Sequence, residues 1–133
     1  MAVVQAAVAR AQAMPDRREA IAALAGFEIV AIAGCIIAAA RAGITLVLDG
    51  YITGAAALIV QAIAPDALGS TIAAHRSAEP GHAVVLEQLG LEPFLEWELR
   101  LGEGTGAVLL LPLLDAAAAL LSDVATLAEV MGG

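Results

Sequence analysis

A chain of 133 residues amounts to at most one ordinary domain, long enough for a core of its own. Its net charge is −8, and its six basic residues are all arginines scattered along the chain. That excludes the basic patch on which nucleic-acid binding depends. Hydrophobic residues make up 61% and aromatics only 3%, so alanine, leucine, isoleucine and valine carry the burial. Such a composition predicts helices apolar nearly all round, packed between other elements of a larger core or a tight oligomer.

Residues 2–13 predict a helix that ends at Met14-Pro15-Asp16, and a second runs from Asp16 to Ala25. After Gly26 a third helix covers Phe27 to Ala42, closed by Gly43 in the position of a C′ glycine. Its Cys35 reads as a buried reduced thiol, because nothing beside it serves as an activating base. Ile44–Leu48 has the short β-branched pattern of a strand buried on both faces, and Asp49-Gly50 ends it. A helix from Ile52 to Ala64 stops at Pro65-Asp66, and residues 70–74 form a weaker second strand.

Pro80 opens a helix to Leu89, which Gly90 ends. Leu95, Trp97, Leu99 and Leu101 then alternate with polar residues, as either a strand or an extended approach to a loop. Ala107 to Leu121 is helical around Pro112, and Asp123 is placed to cap a last short helix to Met131. Strand–helix–strand–helix order is most economically met by parallel strands with helices on their faces. Ligands in such sheets gather beyond the carboxyl ends of the strands, where Asp49-Gly50 and His75-Arg76-Ser77 fall.

The densest chemical signal is Leu101-Gly102-Glu103-Gly104-Thr105-Gly106, three alternate glycines around one carboxylate ahead of an apolar helix. Glycine permits left-handed backbone and close approach, so the spacing suggests a tight loop presenting Glu103. A connecting turn with a solvated glutamate is the local alternative. The spacing fits neither the dinucleotide fingerprint nor a phosphate-binding P-loop.

Arg100-Leu101-Gly102-Glu103-Gly104-Thr105-Gly106 resembles the C-terminal signature of the nicotinate-nucleotide–dimethylbenzimidazole phosphoribosyltransferase family. Gly26-Phe27-Glu28-Ile29, Val47-Leu48-Asp49-Gly50-Tyr51-Ile52, Ala74-His75-Arg76-Ser77-Ala78-Glu79-Pro80-Gly81 and Leu91-Glu92-Pro93 follow the family's order and spacing. Together they span nearly the whole chain, and match only the C-terminal part of longer members.

The resemblance implies an α/β fold in which short parallel strands are enclosed by alanine-rich helices, a partial three-layer, Rossmann-like domain over residues 1–133. It implies a pentosyltransferase of cobalamin lower-ligand synthesis. The family reaction joins a benzimidazole nitrogen to the anomeric carbon of nicotinate mononucleotide and releases nicotinate. The attacking ring loses an N–H proton as the bond forms, and the resemblance gives its acceptance to Glu103. An apolar enclosure strengthens a carboxylate for that task. Leu101, Gly102 and Gly104 belong to the same substrate-binding loop.

Ser77, flanked by His75 and Arg76, resembles the family's phosphate-side element, and a helix-capping serine is the alternative. Asp49 is placed for a ribose hydroxyl or, on local grounds, for a turn with Gly50. Glu28, at a helix start, suits the helix dipole. A Ser77–His75–Asp49 hydrolase triad lacks the G-x-S-x-G elbow. His75 and His82 lack a third metal ligand at sensible spacing, so neither metal nor cofactor is expected.

The family's glycine-rich nucleotide-binding stretch is not among these residues, which implies a homodimer or a partner chain supplying the N-terminal half. A non-catalytic remnant that binds a nucleotide or aromatic base, or an interaction module, is the alternative. The longest charge-free stretch lies between Asp49 and Asp66, short of the roughly 20 apolar residues of a spanning helix. With no signal-like N-terminus, the expectation is a cytoplasmic protein away from membranes.

Overall fold

The computed structural model describes residues 1–132. Three parallel strands, β1 (Leu46–Leu48), β2 (Thr71–Ser77) and β3 (Pro93–Leu99), lie side by side in chain order, with β2 in the centre. Helices α1 (Ala2–Gln12), α2 (Arg17–Leu24) and α3 (Phe27–Arg41) precede the sheet. Helix α4 (Tyr51–Ile63) and a 3-10 turn (Pro65–Leu68) join β1 to β2, and α5 (Pro80–Leu89) joins β2 to β3. Helices α6 (Thr105–Asp123) and α7 (Leu127–Met131) follow. The fold is α/β, as the alternation of patterns implies.

Local chemistry sets the boundaries. The Asp16 carboxylate accepts the amide hydrogens of Arg18 and Glu19 at 2.7 and 2.9 Å, satisfying two of the free donors that open α2. Pro80 takes the first turn of α5, where its missing N–H is harmless, and Gly90 closes it in the left-handed region at φ +68°. Thr126, rather than Asp123, caps α7. Its hydroxyl accepts the Glu129 amide hydrogen at 3.3 Å, while the Glu129 carboxylate accepts the Thr126 amide hydrogen at 2.7 Å. Asp123 is instead the last residue of α6.

Two strand expectations change and a third is decided. β1 is shorter than residues 44–48, and only Leu48 within it is buried, because an edge strand is paired and covered on one side. β2 runs on to Ser77, since its ladder with β3 continues through His75↔Leu95 and Ser77↔Leu99. The alternating residues after Pro93 are a true strand with an irregularity in that register, where Glu98 takes φ +52°.

The core lies where α3 and α4 meet the sheet: Ala33 and Ile36 pack with Leu48, Ala56, Ala57 and Val60. Alanines let the helices approach closely, and Ile29, Ile32 and Ile59 extend the contact. Cys35 does not join it. Only one face of α3 is packed, and Cys35 stands exposed on the other.

The helices are less enclosed than their composition predicts. α1, α2 and α7 bury no residue, and the 19-residue α6 buries only Gly106 and Leu110. Leu113, Leu120 and Leu121 are exposed along α6. The stretch Thr105–Met131 is long and apolar enough by composition to cross a membrane, which a search for charge-free runs overlooks because Asp115 and Asp123 interrupt it. It is not one continuous helix, for the chain is extended at Val124. Its first turns pack on β2 and β3 as a domain helix does.

Candidate functional site

The three strands end at a cavity of about 830 Å³, roofed by the loop between β3 and α6. Parallel strands open their carboxyl ends to ligands in this way, and the volume falls within the range that small molecules occupy. Asp49 and Gly50 follow β1, His75 and Ser77 come from the end of β2, and Leu101, Gly102, Glu103 and Gly104 form the loop. All seven residues singled out from the sequence as site residues line this one space. Val47, Leu99 and Leu101 give it an apolar side.

The loop turns through two consecutive left-handed residues, Glu103 at φ +64° and Gly104 at φ +81°. The second suits glycine. The first costs a residue with a Cβ roughly 1–2 kcal/mol, a strain that recurs where a side chain must be presented rather than packed. The Thr105 hydroxyl donates to the Gly102 carbonyl at 2.7 Å and ties the turn together. Glu103 is exposed at the rim, so the apolar enclosure expected of a base is not supplied by the described residues.

Asp49 does not bond its own turn. One of its carboxylate oxygens accepts the amide hydrogen of Ala107 at 2.9 Å, one of the free donors in the first turn of α6. Gly104, at the cap position, has no side chain for this task, and a carboxylate at a helix N-terminus also meets the positive end of its dipole. The turn role passes to Thr53, whose hydroxyl donates to the Gly50 carbonyl at 2.9 Å and accepts the Gly50 amide hydrogen at 3.2 Å.

His75 is 1% exposed, and neither of its ring nitrogens has a hydrogen-bond partner. Nε2 lies 3.9 Å from Asp49 Oδ1, a charge contact longer than a hydrogen bond. Gly106 stands directly over the ring. A Cβ added there would overlap His75 Cδ2, so only glycine lets the start of α6 settle against β2.

Ser77 does not cap α5, whose cap position is Glu79. Its amide hydrogen and its hydroxyl both point to His82 Nδ1, at 2.9 and 3.0 Å. A backbone N–H only donates, so Nδ1 is unprotonated and the ring's hydrogen sits on Nε2. Burial, reinforced by His75 and Arg76 and opposed by Asp49, holds the His82 pKa below its ordinary 6.5, which keeps that ring neutral. The sequence offered His82 only as an inadequate metal ligand. Its position after Pro80-Gly81, facing back to the strand, was the available signal.

Arg76 leaves the cavity and pairs with Glu96 of β3 at 3.0 Å on the exposed surface. Arg100, Tyr51 and Thr53 line the cavity without having been singled out for it. Glu28 is exposed in the first turn of α3 and takes no part. No group of three or more metal-ligating side chains exists among the described residues.

Residues 1–131 match the family described as Phosphoribosyltransferase (DBI_PRT). Nicotinate-nucleotide–dimethylbenzimidazole phosphoribosyltransferase of Desulforudis audaxviator is 50% identical over 126 residues, 94% of this chain and 36% of that protein. The protein of the same name from Chloroflexus aggregans is 46% identical over 130 residues, 97% of this chain and 37% of its own. A crystal structure of the phosphoribosyltransferase of that name from Thermus thermophilus superposes with a TM-score of 0.82 at 46% identity. It covers 94% of this chain and 38% of the Thermus chain. Coverage of that extent takes in much of α6, which therefore has a counterpart in a folded domain. The chain spans just over a third of the length of these relatives. With nearly every residue matched and close to half of them identical, the chain belongs to the DBI_PRT phosphoribosyltransferase family.

Proposed function

We propose that residues 1–133 are one domain carrying the acceptor side of a phosphoribosyl transfer from nicotinate mononucleotide to 5,6-dimethylbenzimidazole. Glu103 is the general base. As the benzimidazole nitrogen bonds to the anomeric carbon, the bond from that carbon to nicotinate breaks, nicotinate leaves, and the ring N–H proton passes to the Glu103 carboxylate. No cofactor is needed, because the substrates already hold the leaving group and the nucleophile. The observation that carries this reading is the left-handed Glu103 at the rim of a cavity whose apolar side, Val47, Leu99 and Leu101, suits a flat aromatic base.

Leu101, Gly102 and Gly104 form the wall against that base, and Ser77 lies toward the phosphoribosyl group. His75 and Asp49 lie beneath the loop and support it. The exposed Glu103, the uncovered α6 and the third of relatives' length that the chain spans all favour a further contribution. In the working assembly it comes from a second copy or from polypeptide matching the relatives' remaining length, and it encloses Glu103. A cytoplasmic reaction accords with small soluble substrates of this kind.

The test is product formation, followed by chromatography of the ribazole phosphate, with light scattering for mass. The chain by itself is expected to self-associate and to give no product from the two substrates. Addition of polypeptide matching the remainder of a relative is expected to restore turnover. An ordered monomer that turns over unaided, or a complemented assembly that yields nothing, contradicts the reading.

A further inference from the structure

We propose that His75 is a positioning residue for Glu103: its buried imidazole, with the ring hydrogen on Nε2 toward Asp49, is the seat on which the first turn of α6 rests. The role rests on the proposed function for its catalytic consequence, though the geometry stands without it. A histidine without exposure and without a hydrogen bond is an uncommon case of buried polarity and calls for a cause. Two contacts and the position of Glu103 supply one.

The first is steric. Gly106 approaches the ring so closely that no Cβ fits between them, which makes the imidazole the floor under α6. The second is electrostatic. Nε2 faces Asp49 Oδ1 at 3.9 Å, and that same oxygen holds the Ala107 amide hydrogen at 2.9 Å. A hydrogen on Nε2 points at the carboxylate, and an approach of about 1 Å makes it a full hydrogen bond. The third is positional. Glu103 lies three residues before Gly106, within a turn tied by Thr105 to Gly102.

Any shift in the height of α6 over the sheet is therefore transmitted to Glu103 through three or four residues of constrained backbone. A general base must stand within hydrogen-bond reach of the proton it takes, so displacement of about 1 Å lowers turnover. His75 thus acts through Glu103 and not on substrate directly.

Two readouts separate this role from plain structural support. In the chain by itself, nitrogen NMR of the imidazole is expected to show His75 as the Nε2–H tautomer. Hydrogen exchange of the Ala107 amide is expected to accelerate about tenfold or more in His75→Asn and in Asp49→Asn, with core amides of α4 unchanged. In the complemented assembly, His75→Asn is expected to lower kcat with little change in KM. The double variant His75→Asn/Glu103→Gln is expected to be no slower than Glu103→Gln alone, since two residues acting through one proton transfer do not add.

An Nδ1–H tautomer, unchanged Ala107 exchange, or additive losses in the double variant overturns the proposal. Should His75→Asn not fold, Gly106→Ala displaces the same turn with the histidine present and is read by the same exchange. If the wild-type assembly makes no product, the functional reading fails while the tautomer and exchange results still decide the role of His75.

Discussion

Asp49 Oδ1 accepts the amide hydrogen of Ala107 at 2.9 Å, so that the end of β1 caps a helix from 58 residues away in sequence. The bond is charge-assisted, partly buried and has no local substitute, because Gly104 at the cap offers no side chain. Asp49→Ala is expected to lower stability by roughly 1–3 kcal/mol, read from the urea midpoint, and Asp49→Asn by less. An Asp49→Ala midpoint equal to wild type removes the cap from the energetics of the fold.

Glu103 holds a strained backbone. Its φ of +64° suits glycine better than glutamate. Glu103→Gly is expected to raise stability by about 0.5–1 kcal/mol, the relief of the left-handed backbone less the added freedom of the unfolded chain. Glu103→Gln keeps the Cβ and is expected to leave the midpoint where it is. Loss of stability in Glu103→Gly contradicts the strained loop.

Gly106 gives a complementary test. The added methyl of Gly106→Ala overlaps the His75 ring, and overpacking of that kind costs about 1–3 kcal/mol. Combination with His75→Ala is expected to recover part of the loss, because the second change removes the obstacle met by the first. Independent, additive losses in denaturation experiments place the two residues out of contact.

The His82 ring accepts from Ser77 only while neutral, and its pKa lies below 6.5 in the folded chain, mainly through burial. The unfolded chain therefore binds a proton on this ring before the folded chain does. Stability from it is fully present above pH 6.5 and is lost as pH falls from there through the folded value. Denaturation midpoints are expected to decline below pH 6.5, and to decline less in His82→Gln. Glu129, lowered from 4.5 by the Thr126 backbone and hydroxyl bonds, contributes its own decline only as pH falls below 4.5, and the His82→Gln comparison separates the two. Equal pH dependence with and without the histidine assigns the effect elsewhere.

Much of this architecture was legible in local pattern. Asp16, Pro80 and Gly90 mark helix ends by chemistry that acts within a few residues, and the alternation at Leu95, Trp97 and Leu99 is a strand. The glycine spacing around Glu103 by itself allows either a presented carboxylate or a connecting turn, and the loop takes two left-handed residues at the cavity rim. The unread features are those that depend on partners the fold brings together. Asp49, read as a ribose or turn residue, in fact accepts from Ala107, far along the chain, and the partner of Ser77, His82, lies only five residues on but across the turn from β2 into α5. Cys35 reads as buried because composition reports that α3 is apolar and not which of its faces is covered.

In the proposed reaction Glu103 takes the proton of the attacking base. The decisive measurement is kcat of Glu103→Gln in the complemented assembly, beside the urea midpoint of the same variant. Loss of the proton acceptor at unchanged size predicts a fall of roughly 10²–10⁴-fold with the midpoint unmoved. Turnover within about threefold of wild type, far inside the range general bases contribute, contradicts the account.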